Sequence, residues 1–152
     1  MPITGIRNFV SVSGDLATAG QPSESELQDI ASEGFQAVIN LGLLDPRYCL
    51  EDEAGLVTAL GMRYVHIPVD FQAPTQDDLQ RFFRTMDEVA GLKVLVHCAA
   101  NYRASSFVSL YGQAKLGWSE QEADNYLRCL WEPNDVWADF IERARATLAP
   151  SG

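Results

Sequence analysis

The sequence predicts an α/β fold with a mostly parallel sheet of four or five strands, flanked by helices. Short apolar runs bounded by turn residues, at 37–41 and 94–96, are typical of buried parallel strands. Segments with a helical apolar period alternate with them in the order β-α-β-α-β-α-β-loop-α-α-α. With 152 residues, of which 47% are hydrophobic, the chain is expected to form a single domain over residues 1–152 with its own core.

Local signals in the first half favour alternating strands and helices. Ser23 or Ser25 is placed to cap a helix that ends at Gly34. Pro68 cannot donate a backbone hydrogen bond, so the third strand is expected to lie near an edge or to end there. The elements expected in this half are a strand (9–12), a turn (19–23), a helix (23–34), a strand (37–41), a loop with a charge cluster (41–53), a helix (53–60) and a strand (63–69).

The second half contains the clearest helix signals. Thr75 with Asp78 forms a pattern like a capping box before one apolar stripe, and Ser119 with Glu122 repeats the pattern further on. A strand at 94–96 separates the first of these helices from the rest. Four helices are expected in this half. The first begins at Thr75, the second runs from about Ala104 to Leu116, and the third begins at Ser119. The apolar residues of the fourth are Val136, Phe140, Ile141, Ala144 and Leu148.

Composition excludes several classes of function. The formal charge of −10 argues against nucleic acids and anionic membranes as partners. No apolar run is long enough to cross a bilayer, and the first residues lack the layout of a secretory signal. Three widely spaced cysteines fit a reducing cytoplasm, and two histidines without a Cys/His cluster argue against zinc. A cytoplasmic protein with no metal and no organic cofactor is therefore expected, while its oligomeric state is left open.

The stretch from Lys93 to Ser106 contains the strongest functional signal. It predicts a buried strand ending in His97-Cys98, a tight loop, and the beginning of a helix. Backbone N–H groups of such a loop, at the positive end of a helix dipole, form a natural anion site. A thiolate is stabilised there and is a nucleophile. Cys98 is therefore the candidate nucleophile, and the candidate anion-binding residues are Ala99, Ala100, Asn101, Tyr102 and Arg103.

Several motifs together resemble the cysteine-dependent protein tyrosine phosphatase superfamily, in its small dual-specificity-like branch. The order of A-G-Q-P-S, V-I-N-L, H-I-P-V-D-F-Q-A-P and V-H-C-A-A-N-Y-R is similar to bacterial phosphatase-like domains found beside β-lactamase-like hydrolases. The resemblance implies a dual-specificity-phosphatase-like fold and hydrolysis of a phosphorylated protein or a small phosphate monoester through a phosphocysteine. The implied roles are nucleophile for Cys98, phosphate clamp for Arg103, general acid for Asp70, loop orientation for His97 and thiolate release for Ser105.

The loop departs from the family pattern His-Cys-x-x-Gly-x-x-Arg-Ser/Thr, because four residues instead of five separate Cys98 from Arg103. Without a gap, Asn101 takes the glycine position, which is reasonable because Asn adopts positive φ more readily than most residues. Ser105 then matches Ser/Thr, but Ala104 takes the arginine position. With a gap, Arg103 keeps its role in a tighter loop. We favour the ungapped alignment, since it explains two residues, and expect that activity could be impaired.

The short spacing leaves two alternative functions open. Rhodanese-like sulfurtransferases have four residues between Cys and a frequent Arg, although other signals of that family are missing here and Asp70 would have no role. A non-catalytic module that binds phosphate or another oxyanion is the second alternative. At residue level, Asp70 could be a plain turn carboxylate, Arg103 could pair with an acidic neighbour, and Cys49 could form a redox disulfide with Cys98.

Overall fold

A computed structural model describes residues 3–148 of the chain. These residues contain a five-stranded sheet in the order β1-β2-β5-β3-β4, in which all neighbours except β1 and β2 run parallel. The mostly parallel α/β architecture predicted from the sequence is confirmed. The strands are β1 (Val10–Ser13), β2 (Leu16–Ala19), β3 (Ala37–Asn40), β4 (Arg63–His66) and β5 (Val94–His97).

The beginning of the chain differs from the prediction. A single strand over 9–12 was expected, whereas β1 and β2 form an antiparallel hairpin, and β2 is the strand that pairs in parallel with β5. The order β-α-β-α-β-α-β is therefore wrong by one strand. The second strand, L-A-T-A, is short, completely buried and rich in small residues, so it has no alternation of polar and apolar side chains that would signal a strand.

Six helices flank the sheet within residues 3–148, and three of them begin at the predicted capping signals. Ser23, Thr75 and Ser119 each form a complete capping box. The fourth helix begins at Tyr102, two residues earlier than expected. The helices are α1 (Glu24–Ser32), α2 (Glu53–Ala59), α3 (Gln76–Glu88), α4 (Tyr102–Lys115), α5 (Glu120–Arg128) and α6 (Asp135–Leu148), after a 3₁₀ turn at Ile3–Gly5.

The sheet buries both of its faces, because successive side chains of a strand point to opposite sides. Ile39 and Val96 pack on one side in a core that includes α3, α4 and α6. Val38 and Leu95 pack on the other side against α1 and α2. Pro68 follows β4, which is an edge strand ending at His66, as the proline predicted. Helices cover both faces of the sheet. The edge that stays open is formed by the carboxyl ends of the parallel strands, and Cys98 lies at that edge.

None of the six helices in residues 3–148 combines the length and the apolar character required to cross a membrane.

Candidate active site

Four residues, Cys98 to Asn101, connect β5 to α4. Asn101 precedes the helix with φ of 71°, in the left-handed region, and is completely buried. A conformation of this kind is costly for most residues but accessible to asparagine. Asn101 thus adopts the backbone geometry expected of a glycine position, even though the loop is short.

The carbonyl groups of this loop all have partners behind it. Cys98 O lies 3.2 Å from His97 Nδ1, and Ala99 O accepts from Gln21 N at 2.9 Å. Ala100 O accepts from Asn8 Nδ2 at 2.8 Å, and Asn101 O accepts from Ser105 N at 3.0 Å. Carbonyl and N–H of a trans peptide point in opposite directions, so the following N–H groups face away from these partners.

Free amide donors are the result of this arrangement. Among residues 3–148, no hydrogen-bond acceptor faces the N–H groups of Ala99, Ala100, Tyr102, Arg103 and Ala104. The last three belong to the first turn of α4, whose amides have no partner inside the helix and lie at the positive end of its dipole. A row of unpaired amides of this kind can bind an oxyanion.

The loop forms the base of a cavity of about 400 Å³. Cys98 lines this cavity and is 1% exposed, so almost none of its surface faces bulk solvent. A larger cavity of about 550 Å³ lies between α5 and α6, but no thiol or hydroxyl group lines it. The smaller cavity is lined by Leu43, Asp45, Arg47, Tyr48, Asp70, Phe71, Gln72, Cys98, Ala99, Ala100, Tyr102 and Arg103.

Arg103 points into the same cavity although the loop is one residue short. It is 6% exposed, and its Nη1 donates to Val69 O at 2.9 Å. Its Nη2 lies 3.5 Å from the Tyr48 hydroxyl, and the guanidinium carbon is 5.8 Å from the centre of the Phe71 ring. Both hydrogen bonds go to neutral oxygens, and no carboxylate within residues 3–148 forms an ion pair with this guanidinium. The structure therefore brings Arg103 and Cys98 together.

Asp70 lies at the rim of the cavity, on the segment that follows β4. Its side chain is exposed, and Oδ1 accepts from Gln72 N at 2.9 Å. The neighbouring Phe71 is held in place, since its carbonyl accepts from Trp137 Nε1 at 2.9 Å and its ring packs against Tyr102 and Trp131. The aromatic cluster thus fixes the segment that carries Asp70 at the rim of the cavity that Cys98 also lines.

Glu53 supports the loop from below and was not anticipated as a site residue. It begins α2, is 5% exposed, and its Oε2 lies 2.6 Å from His97 Nε2. Gln21 Nε2 donates to Oε1 at 2.7 Å. Burial raises the pKa of the Glu53 carboxyl, but the hydrogen bond and charge of His97, with the Gln21 bond, outweigh burial and hold that pKa below its usual value.

His97 links the loop to α2. Its Nε2 donates to the Glu53 carboxylate, which can only accept, and its Nδ1 lies 3.2 Å from the Cys98 carbonyl oxygen. The imidazole is thus held between Glu53 and the loop.

Two other sequence-predicted residues lie apart from the cavity. Ser105 is buried in the first turns of α4, and its hydroxyl donates to Tyr102 O at 3.1 Å. Its role in thiolate release therefore stays a prediction. Cys49 is a half-buried free thiol that does not line the cavity, and its pairing with Cys98 also stays a prediction.

Sequence reasoning overlooked Glu53, Tyr48, Gln21 and Asn8. Glu53 stands in a charge cluster of the sequence, where a solvent-exposed carboxylate is the ordinary interpretation. Its position as the first residue of a helix directly after a loop was the one signal available. The other three touch the site through contacts between distant parts of the chain, which local patterns do not contain.

The fold has the architecture of the dual-specificity-like phosphatases. The family described as "DSP-PTPase phosphatase fused to NAD+ Kinase" matches residues 10–131, and the chain belongs to this family. A crystal structure assigned as a phosphatase of the DUF442 group from Shewanella putrefaciens CN-32 is 35% identical, has a TM-score of 0.86, and is covered over 96% of both chains. The crystal structure of Tk-PTP in its active form is 23% identical and has a TM-score of 0.79, and the alignment covers 91% of this chain and 96% of the Tk-PTP chain. This similarity shows the fold and nothing further.

A curated relative supports the resemblance to domains associated with β-lactamase-like hydrolases. The beta-lactamase hydrolase-like protein of Xylella fastidiosa (strain Temecula1) is 31% identical over 105 residues. The alignment covers 67% of this chain and 24% of that protein, so the chain matches about a quarter of its relative's length.

Proposed function

We propose that the protein hydrolyses a phosphate monoester through a phosphocysteine intermediate on Cys98. The observation that supports this most directly is the convergence of a thiol, a row of unpaired amides and the Arg103 guanidinium on one cavity. Amides and a guanidinium bind the oxygens of a phosphoryl group, and the thiolate below them is placed to attack phosphorus. The substrate is a phosphorylated protein or a small phosphate ester.

In the first step, Cys98 Sγ forms a bond to phosphorus while the bond from phosphorus to the ester oxygen breaks. Asp70, at the cavity rim, gives its proton to the departing oxygen. The loop amides and Arg103 stabilise the charge of the three phosphoryl oxygens during the transfer. His97 acts indirectly, because its contact with Cys98 O orients the loop.

In the second step, the Asp70 carboxylate accepts a proton from water, and the water oxygen attacks phosphorus. The bond between sulfur and phosphorus breaks, which releases inorganic phosphate and restores the thiolate. Asp70 ends the cycle protonated again, so protons and electrons balance. Ser105 is proposed to help the departing thiolate by turning its hydroxyl from Tyr102 O toward sulfur.

The test is the hydrolysis of an aryl phosphate and of a phosphopeptide by the wild type and three variants. Cys98→Ser is expected to abolish turnover while retaining vanadate binding, and Asp70→Asn to lower kcat by roughly 10²–10⁴-fold. Arg103→Ala is expected to weaken vanadate binding, because the main cation of the cavity is lost. Asp77→Asn is the matched control for Asp70, since Asp77 lies in the exposed first turn of α3.

Three outcomes would contradict the proposal. Wild-type rates in Cys98→Ser would exclude sulfur as the nucleophile. Transfer of sulfur from thiosulfate to cyanide that requires Cys98 and is insensitive to Asp70→Asn, without phosphatase activity, would establish a sulfurtransferase. Vanadate binding with neither activity would establish an oxyanion-binding module.

A further inference from the structure

A second cluster of hydrogen-bonded polar side chains lies behind the loop and has no role in the mechanism proposed above. Asn101 is completely buried, and its side-chain Nδ2 donates to Asn8 O at 2.8 Å and to Thr18 Oγ1 at 3.0 Å. Thr18 Oγ1 lies in turn 2.7 Å from the Tyr126 hydroxyl of α5. Asn8 returns a bond to the loop, because its Nδ2 donates to Ala100 O at 2.8 Å. The Asn101 side chain thus bonds the main chain of Asn8, and the Asn8 side chain bonds the main chain of Ala100, the residue before Asn101.

The orientation of the Asn101 amide follows from its partners. Asn8 O can only accept, so the group facing it is the NH₂. Asn101 Oδ1 is buried and has no partner among residues 3–148. An unpaired buried oxygen costs free energy. Glycine would satisfy the positive φ without that cost, so conformation alone does not account for asparagine at this position, whereas its two donated bonds do.

We infer that Asn8 and Asn101, backed by Thr18 and Tyr126, form a brace that aims the loop amides at the bound oxyanion. Asn8 holds the carbonyl of Ala100 and thereby fixes the peptide unit between Ala100 and Asn101, which separates the unpaired N–H groups of Ala100 and Tyr102. Asn101 fixes the next unit by binding Asn8 O in return. Both residues are positioning residues, and the inference rests on the function proposed above.

Both asparagines have positive φ, 51° at Asn8 and 71° at Asn101. This makes glycine an informative substitution, because it keeps the backbone conformation accessible and removes only the side-chain bonds. The brace compensates for a loop that is one residue short and has no glycine at Asn101. A loop without it would keep Cys98 but hold its amides in variable directions, so anion binding would weaken before folding fails.

The experiment compares wild type, Asn8→Gly, Asn101→Gly and the double variant by two readouts that do not need turnover. The first is the dissociation constant of vanadate. The second is the ratio of Cys98 alkylation rates by iodoacetate, which is an anion, and iodoacetamide, which is neutral. Each single variant is expected to weaken vanadate binding by roughly tenfold or more and to lower the alkylation ratio, since Asn8→Gly removes one side-chain bond, Asn101→Gly removes two, and one such bond is worth on the order of a factor of ten. The double variant is expected to lose less than the product of the singles.

Ser109→Ala is the matched control, because it removes a buried hydroxyl from α4 whose bond goes to Ser106 O. It is expected to leave vanadate affinity and the alkylation ratio unchanged. Tyr126→Phe tests the outer end of the brace and is expected to give a smaller loss than Asn101→Gly. Wild-type vanadate affinity in folded Asn101→Gly, or an equal loss in Ser109→Ala, would overturn the inference. If the variants lose vanadate binding as expected but the wild type has no phosphatase activity, the proposed function would be contradicted and the inference about the brace would stand.

Discussion

Replacement of Glu53 by glutamine tests the buried pair beneath the loop. Glu53 makes two charge-assisted hydrogen bonds, of 2.6 Å to His97 and 2.7 Å to Gln21. Bonds to a charged group contribute about 1.5–3 kcal/mol each and bonds between neutral groups about 0.5–1.5 kcal/mol. The substitution exchanges two of the first kind for the second, so we expect Glu53→Gln to lower the free energy of unfolding by about 2–3 kcal/mol at pH 7.

The effect has a defined pH dependence. The pKa of Glu53 is lowered in the folded state, so its stabilisation is fully present above the pKa of the unfolded chain, about 4.3. The stabilisation is lost as pH falls through the lower, folded-state pKa. The difference in stability between wild type and variant is therefore constant from neutral pH down to about pH 5 and narrows below it.

Urea unfolding followed by tryptophan fluorescence measures the loss of stability at pH 7, and repeating it between about pH 3.5 and pH 7 measures the pH dependence. This range is roughly that of carboxyl titration. Glu132→Gln is the matched control: the exposed Glu132 pairs with Arg128 on the surface, and such pairs contribute about 0–1 kcal/mol. A Glu53→Gln protein as stable as wild type at pH 7 would refute the assignment of an ionised Glu53. A difference that does not change with pH would refute it as well.

Three further outcomes are expected. Gly112→Ala should destabilise the protein by about 1–3 kcal/mol or more, because the added Cβ meets the Trp118 ring, whereas Gly14→Ala should not, because the space around Gly14 is open. Urea unfolding compares the two variants, and equal stability would contradict the packing of α4. Trp137→Phe removes the donor to Phe71 O, so kcat on an aryl phosphate should fall through a looser Asp70 segment; an unchanged kcat would show that this bond does not position Asp70. Arg103→Lys should weaken vanadate binding by roughly tenfold, because an ammonium lacks the planar fork; wild-type affinity by calorimetry would contradict a clamp formed by Arg103.

The fold was largely predictable because most elements carry local signals. Capping boxes at Ser23, Thr75 and Ser119 define helix starts, and buried apolar runs define β3 and β5. The β1–β2 hairpin was not predicted, and the reason is physical. Its second strand is stabilised by burial between β1 and β5, and its small side chains give no pattern of their own.

The candidate site was predictable only in part. The motif around Cys98 located the loop, and the preference of asparagine for positive φ indicated Asn101. Whether Arg103 reaches the cavity depends on where α4 begins, and the sequence left that position uncertain. The start at Tyr102 places Arg103 in the first turn, close to Val69 O. The partners that orient the loop, Glu53 and Asn8, come from distant segments and required the structure.

The location of a covalent phosphoryl group tests the central claim most directly. The wild-type protein would be mixed with a labelled aryl phosphate, quenched within the first turnover, digested and mapped by mass spectrometry. We predict a phosphorylated peptide containing Cys98, which is absent from Cys98→Ser and stays labelled longer in Asp70→Asn. Turnover of the ester with no label on Cys98, or with label on another residue, would contradict the mechanism.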